Sequence, residues 1–144
     1  MIEEFKHHIE RLRASGLRPT KQRLAICKIL FGKKNTFHFT IDDLKQISKK
    51  KFKKKISLAT LYNTVHAFRK NGYLKEIHLN GSKTFYDTNT TNHHHFYDED
   101  KSELTDIEKE SIILSNIPNA PNGKKIKQVE ITIRVENNNQ NQKK

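Results

Sequence analysis

A single cysteine, Cys27, excludes an intrachain disulfide framework and an all-cysteine zinc site within one subunit. No apolar run approaches the roughly 20 residues that span a bilayer, so no transmembrane helix is expected. The N-terminal stretch lacks the apolar core of a signal peptide, and the expected location is the cytoplasm. Apolar residues make up only 33% of the 144, which limits the chain to a modest core shared between small subdomains or across a dimer. Neither a nucleophile–base–oxyanion set nor a glycine-rich phosphate loop is present, so the chain does not read as an enzyme.

Positive charge is abundant and unevenly placed. The formal net charge is +12, and residues 1–90 hold 20 Lys/Arg against 7 Asp/Glu, whereas residues 91–144 hold 8 against 9. A basic first part joined to a near-neutral second part fits a polyanion-binding unit, nucleic acid being the commonest partner. Basic faces that merely aid solubility are the competing reading.

Apolar spacing predicts a helix over residues 3–15, with Phe5, Ile9 and Leu12 on one face and Gly16 ending it. Thr20 caps a second helix, Lys21–Phe31, with Leu24, Cys27 and Phe31 at core spacing. Thr40 and Asp43 make a capping box for a third helix reaching Lys50, with Ile41, Leu44 and Ile47 inward. "KKKFKKK", residues 49–55, reads as a lysine loop. "SLATLYNTVHAFRKNG" follows, capped by Ser57 and closed by Gly72, with Leu58, Leu61, Val65 and Phe68 as its core stripe. "YLKEIHL" and "KTFYDT" flank "NGS" and form a hairpin. Three helices and a hairpin in this order give a winged helix-turn-helix over residues 1–88.

A second part, residues 89–136, contains the short strands "HHHFYDED" and "SELTDI" and the alternating strand "KQVEITIRVE". The last has Val129, Ile131, Ile133 and Val135 on one face, as a small dimerising sheet requires. Residues 137–144 are low-complexity and expected to be disordered. The fold class is therefore α+β, a winged helix-turn-helix followed by a small α/β dimerisation domain.

The helix of residues 57–72 presents Ala59, Tyr62, Asn63 and His66 away from its core stripe. Asn can hydrogen-bond an adenine edge, and a Tyr ring can pack on a thymine methyl. Ser57 and Thr60 at the helix start, Lys83 on the wing and the lysine loop would hold phosphates. Arg18 is placed to reach a narrow minor groove in AT-rich DNA. Any one of these residues could be an ordinary surface residue; their arrangement within the helix–hairpin order points to double-stranded DNA.

His93, His94 and His95 precede a run of acids. On a strand, residues i and i+2 share a face, so His93 and His95 can converge on one ion while His94 points away. Asp87, Asp106 and His38 are the other candidate ligands for a divalent metal such as Zn, Fe or Mn. A solvated loop with freely titrating histidines, and haem binding at His93–His95, are the alternatives. His7, His8, His66 and His78 read as surface residues, and Cys27 as packing.

These segments together resemble the ferric uptake regulator (Fur) family. "LRPTKQRLAICKIL", "HFTIDDL", "SLATLYNTVHAF" and "GSKTFYDTN" follow its DNA-binding domain in order, and "HHHF" stands where the family has its His-X-His. "IPNAPNG", with several of these, looks most like the Irr branch, the iron response regulators of α-proteobacteria. The resemblance covers residues 11–136. It implies a homodimer on an AT-rich palindromic operator, with Tyr62 and Asn63 at the base-contacting pair and Arg18 at the minor-groove position. It also implies a regulatory metal site of His38, Asp87, His93, His95 and Asp106. Asn63 stands where arginine is common, two of the ligands are Asp where Glu is usual, and the family's CxxC pairs are absent. The Irr branch implies control of iron and haem metabolism genes, with haem acting at the histidine triplet. A metal-activated repressor of iron, zinc or peroxide-response genes is the alternative within the family. A haem- or metal-binding basic protein without an operator is the alternative outside it.

Overall fold

The computed structural model describes residues 2–52, 55–79 and 83–139, which form two compact units, residues 1–90 and residues 91–144. The first unit holds α1 (Ile2–Ala14), α2 (Lys21–Phe31), β1 (His38–Phe39), α3 (Ile41–Lys51), α4 (Leu58–Lys70), β2 (Lys75–Ile77) and β3 (Phe85–Asp87). The second holds β4 (His94–Asp98), β5 (Glu103–Ile107), a 3-10 turn at Lys109–Ser111 and β6 (Thr132–Val135).

Local chemistry sets the helix ends. Thr20, Thr40 and Ser57 each accept a backbone N–H from the residue three positions on, and Asp43 returns the bond to Thr40 N–H at 2.9 Å. Both α1 and α4 end in a glycine with left-handed backbone, Gly16 (φ +76°) and Gly72 (φ +82°). At each, the following residue bonds back five positions, Leu17 to Leu12 O at 2.8 Å and Tyr73 to Phe68 O at 2.9 Å. The Tyr73 ring then meets the Phe68 ring edge-on at 6.2 Å, the apolar contact that accompanies this stop.

Helix α2 is the centre of the first unit, touched by α1, α3 and α4. That is why Ile26, Cys27, Ile29 and Leu30 are all buried, a wider band than the expected stripe, while Leu24 and Phe31 are only half-buried. Burial pushes the Cys27 thiol pKa up to about 12. In α4, Leu61, Val65 and Phe68 are fully buried, but Leu58 lies at the first turn, 49% exposed. Helix α3 runs one residue past its expected end at Lys50, so Lys49–Lys51 of the expected lysine loop form its last turn, where lysines complement the carbonyl end of the helix; Lys53 and Lys54 lie outside the described residues.

The expected hairpin strands are β2 and β3, antiparallel with Ile77 opposite Phe85, and the "NGS" segment lies outside the described residues. Strand β1 adds a third strand on the far side of β3, placing His38 opposite Asp87. In the second unit β4 is central, antiparallel to β5 and parallel to β6. The long third strand expected from alternation is only four residues, because its partner β4 begins at His94 and residues 127–130 precede that start. Val129 and Ile133 remain exposed. Of the expected disordered tail, residues 140–144 lie outside the described residues.

His8, expected at the surface, is 6% exposed. Its Nδ1 lies 3.4 Å from Arg11 Nη1 and its Nε2 3.6 Å from Glu4 Oε1. Burial, and then the Arg11 charge, hold its pKa below the ordinary value of 6.5. The unfolded chain therefore takes up a proton that the folded chain resists. Stability is full above pH 6.5 and is lost as pH falls towards the folded pKa. Thermal melts at stepped pH should show a steeper acid loss for the native chain than for His8→Gln; parallel curves would exclude His8 as the source.

Candidate DNA face and metal centre

Helix α4 projects the proposed reading face because its inward positions are taken by Leu61, Thr64, Val65 and Phe68. Ala59, Tyr62, Asn63 and His66 are exposed along the helix, with Ser57 and Thr60 at its start. Ser57 Oγ lies 2.8 Å from Thr60 Oγ1 and accepts Thr60 N–H, so both hydroxyls already serve the cap. Arg18 is exposed on the loop before α2, and Arg23 Nη1 donates to its carbonyl at 3.0 Å, fixing that loop. Lys83 is exposed ahead of β3.

Sequence reasoning missed Lys21 and Arg23. With Thr20, Gln22 and Thr60 they line a recess of about 370 Å³ where the N-terminal turn of α2 meets the start of α4. The only signal in the sequence was their position in the first turn after a capping threonine, where backbone N–H groups are open to an anion.

The metal candidates fall into two groups, one in each unit. In the first, His38 on β1 faces its register partner Asp87 on β3, with Nε2–Oδ2 at 3.1 Å. Asp87 is 1% exposed, and its Oδ1 accepts Asn89 N–H at 2.8 Å. In the second, His95 on β4 is the register partner of Asp106 on β5, and His93 lies just before β4. Asp106 Oδ1 is 3.2 Å from His93 Nε2 and 3.3 Å from His95 Nε2, and the two imidazole rings are 4.4 Å apart.

The tautomer of His93 is set by its neighbour. Its Nδ1 lies 2.7 Å from the Thr91 carbonyl, an acceptor, so Nδ1 carries the proton. In the neutral ring Nε2 is then a lone pair facing a carboxylate oxygen, an arrangement that either a proton on Nε2 or a metal ion between them satisfies. The separations fit one: ligands at the usual 2.0–2.1 Å around a tetrahedral zinc stand about 3.3 Å apart. Two imidazole nitrogens with carboxylate oxygen suit Zn, Fe or Mn.

His94 turns elsewhere. It is buried, and its Nδ1 accepts Ile131 N–H at 3.1 Å, tying β4 to the residue before β6. It helps line a recess of about 390 Å³ with Asn92, Lys109 and Lys127.

The sequence profile of the "Ferric uptake regulator family" matches residues 14–135. The peroxide-responsive repressor PerR of Staphylococcus aureus is 34% identical over 111 residues, covering 74% of this chain and 73% of the relative. Its namesake from Staphylococcus epidermidis is 36% identical over 110 residues, covering 74% and 71%. Among solved structures, the ferric uptake regulator from Pseudomonas aeruginosa with manganese has TM-score 0.65 at 18% identity, covering 90% of this chain and 97% of that one. The Vibrio cholerae ferric uptake regulator has TM-score 0.65 at 20% identity, covering 89% and 98%. At such identities these two structures speak for the fold.

Proposed function

Because the chain belongs to the ferric uptake regulator family, we propose that it is a metal-activated repressor that binds an AT-rich palindromic operator as a homodimer. Members of this family are metal-responsive transcription regulators rather than enzymes, and they bind DNA as dimers. Residues 1–88 serve as the DNA-binding domain, 89–136 as the dimerisation and sensing domain, and 137–144 as a tail. Exposed Val129 and Ile133 support a second copy covering the β6 face. Tyr62, Asn63, His66 and Ala59 read bases, Arg18 enters the minor groove, and Ser57, Thr60 and Lys83 hold phosphates.

His93, His95 and Asp106 bind one divalent ion, completed by His38 and Asp87. The observation that carries this is the His93 Nε2 lone pair facing Asp106 Oδ1 at 3.2 Å. An ion that draws donors from both units makes its own affinity and that of DNA mutually dependent.

The Irr-like form of the reading has haem at His93–His95 lowering operator binding. It draws less support: His93 and His95 are engaged with Asp106, His94 holds Ile131, and the curated relatives are named peroxide-responsive repressors. Titrating labelled AT-rich palindromic DNA with metal, with chelator and with haem separates the two. Chelator should abolish specific binding and haem should leave it unchanged. Binding that survives chelator and is reversed by haem would replace this reading with the Irr-like one. Tyr62→Ala should weaken operator binding by about 1–3 kcal/mol and non-specific binding hardly at all; equal losses would remove Tyr62 from base reading.

A further inference from the structure

Helix α1 leaves part of its apolar face uncovered. Phe5, 52% exposed, and Ile2 stand over Leu24 and Ala25 of α2 and Phe52 beyond α3, and a groove of about 550 Å³ lies among them. That volume and apolar lining are those of a small-molecule site, where a few polar groups fix the ligand's orientation.

The polar groups here are Lys21 and Lys28 of α2, Glu4 and His8. Lys21 and Lys28 are two helical turns apart on one face, so two ammonium groups outweigh the Glu4 carboxylate. His8 adds a second observation. Arg11 Nη1, a donor, lies 3.4 Å from His8 Nδ1, which leaves the ring proton on Nε2. That buried Nε2 has only Glu4 Oε1 at 3.6 Å, too long for a hydrogen bond, so a closer oxygen acceptor would improve its position.

We propose that this groove binds an amphipathic organic anion, a medium-chain carboxylate in chemical class. Its chain lies along Phe5, Leu24, Ala25 and Phe52, and its carboxylate meets Lys21 and Lys28. Lys21 also lines the recess shared with Thr60. A carboxylate that engages Lys21 competes with a DNA phosphate for the same ammonium, so ligand and operator weaken each other's binding. This coupling rests on the DNA-binding reading; ligand binding itself does not.

The chain has no tryptophan, so Phe5→Trp places a lone indole reporter in the groove. Decanoate should give a saturable blue shift of its emission. Decanol, and decanoate with the Lys21→Gln/Lys28→Gln variant, should bind about tenfold more weakly. Equal affinity for acid and alcohol, or no effect of removing the two charges, would overturn the proposal. The native chain provides the independent measurement: decanoate should shift the amide resonances of residues 2–8 and 21–28. Shifts centred on residues 112–133 would overturn it. In the operator titration decanoate should raise the dissociation constant of the native chain. Saturable binding with unchanged operator affinity would overturn the coupling and leave the groove's ligand assigned. Absence of operator binding with or without decanoate would instead count against the repressor reading.

Discussion

Asp106→Ala is expected to lower divalent-metal affinity by more than about 100-fold, since loss of mere outer-shell partners already costs 10–100-fold. Asp106 Oδ1 lies within 3.3 Å of both His93 Nε2 and His95 Nε2. Removing it takes away one of the two carboxylates of the proposed site, and with it half of the negative charge that offsets the ion. Asp106 is 39% exposed on a strand edge, so the metal-free protein should melt almost where the native one does. Asp106→Asn keeps an oxygen ligand but loses the charge, and should fall between the two. Calorimetric titration with zinc or manganese measures all three. Native affinity in Asp106→Ala would sink the proposed ligand set, and a matching fall in unliganded stability would mark Asp106 as structural.

The second large effect lies in the core beneath α4. Phe68→Ala should cost about 3–5 kcal/mol, and lower the melting temperature of a unit of this size by roughly 15–25 °C. Phe68 is fully buried, meets Phe31 edge-on at 5.4 Å and Tyr73 at 6.2 Å, and its carbonyl accepts the bond that stops α4. One truncation therefore opens a cavity between α2 and α4 and loosens the end of the helix that carries Tyr62 and Asn63. Leu58→Ala, in the same expected stripe but half exposed, should change stability by no more than about 0.5 kcal/mol. Comparable losses at both positions would mean that the core reaches the start of α4.

That contrast also shows where a sequence stops speaking. The caps at Thr20, Thr40 and Ser57 and the glycine stops at Gly16 and Gly72 are local chemistry, and they were legible. So were Leu61, Val65 and Phe68, one turn apart on a helix with a single buried face. Leu58 carries the same spacing, but whether the first turn is covered depends on a neighbour. The wide buried band of α2 follows from three helices meeting it, which no window of residues records. Strand β1 is two residues long and exists only because β3 offers an edge, and β6 begins only where β4 begins. At the candidate centre, strand alternation singled out His93 and His95. The proton on His93 Nδ1 could not be read, because it depends on the Thr91 carbonyl. The Lys21 and Arg23 recess was missed for the same reason, being made by two helix starts far apart in the chain.

The buried thiol of Cys27 has a practical consequence. With a pKa of about 12, roughly one molecule in 10⁵ carries thiolate at neutral pH, and core packing shields that one from reagent. Iodoacetamide will therefore label only molecules in which α2 has come away from its neighbours. Under excess reagent, the alkylation rate becomes a clock for opening of the first unit, kept by the chain's own single thiol and readable by mass.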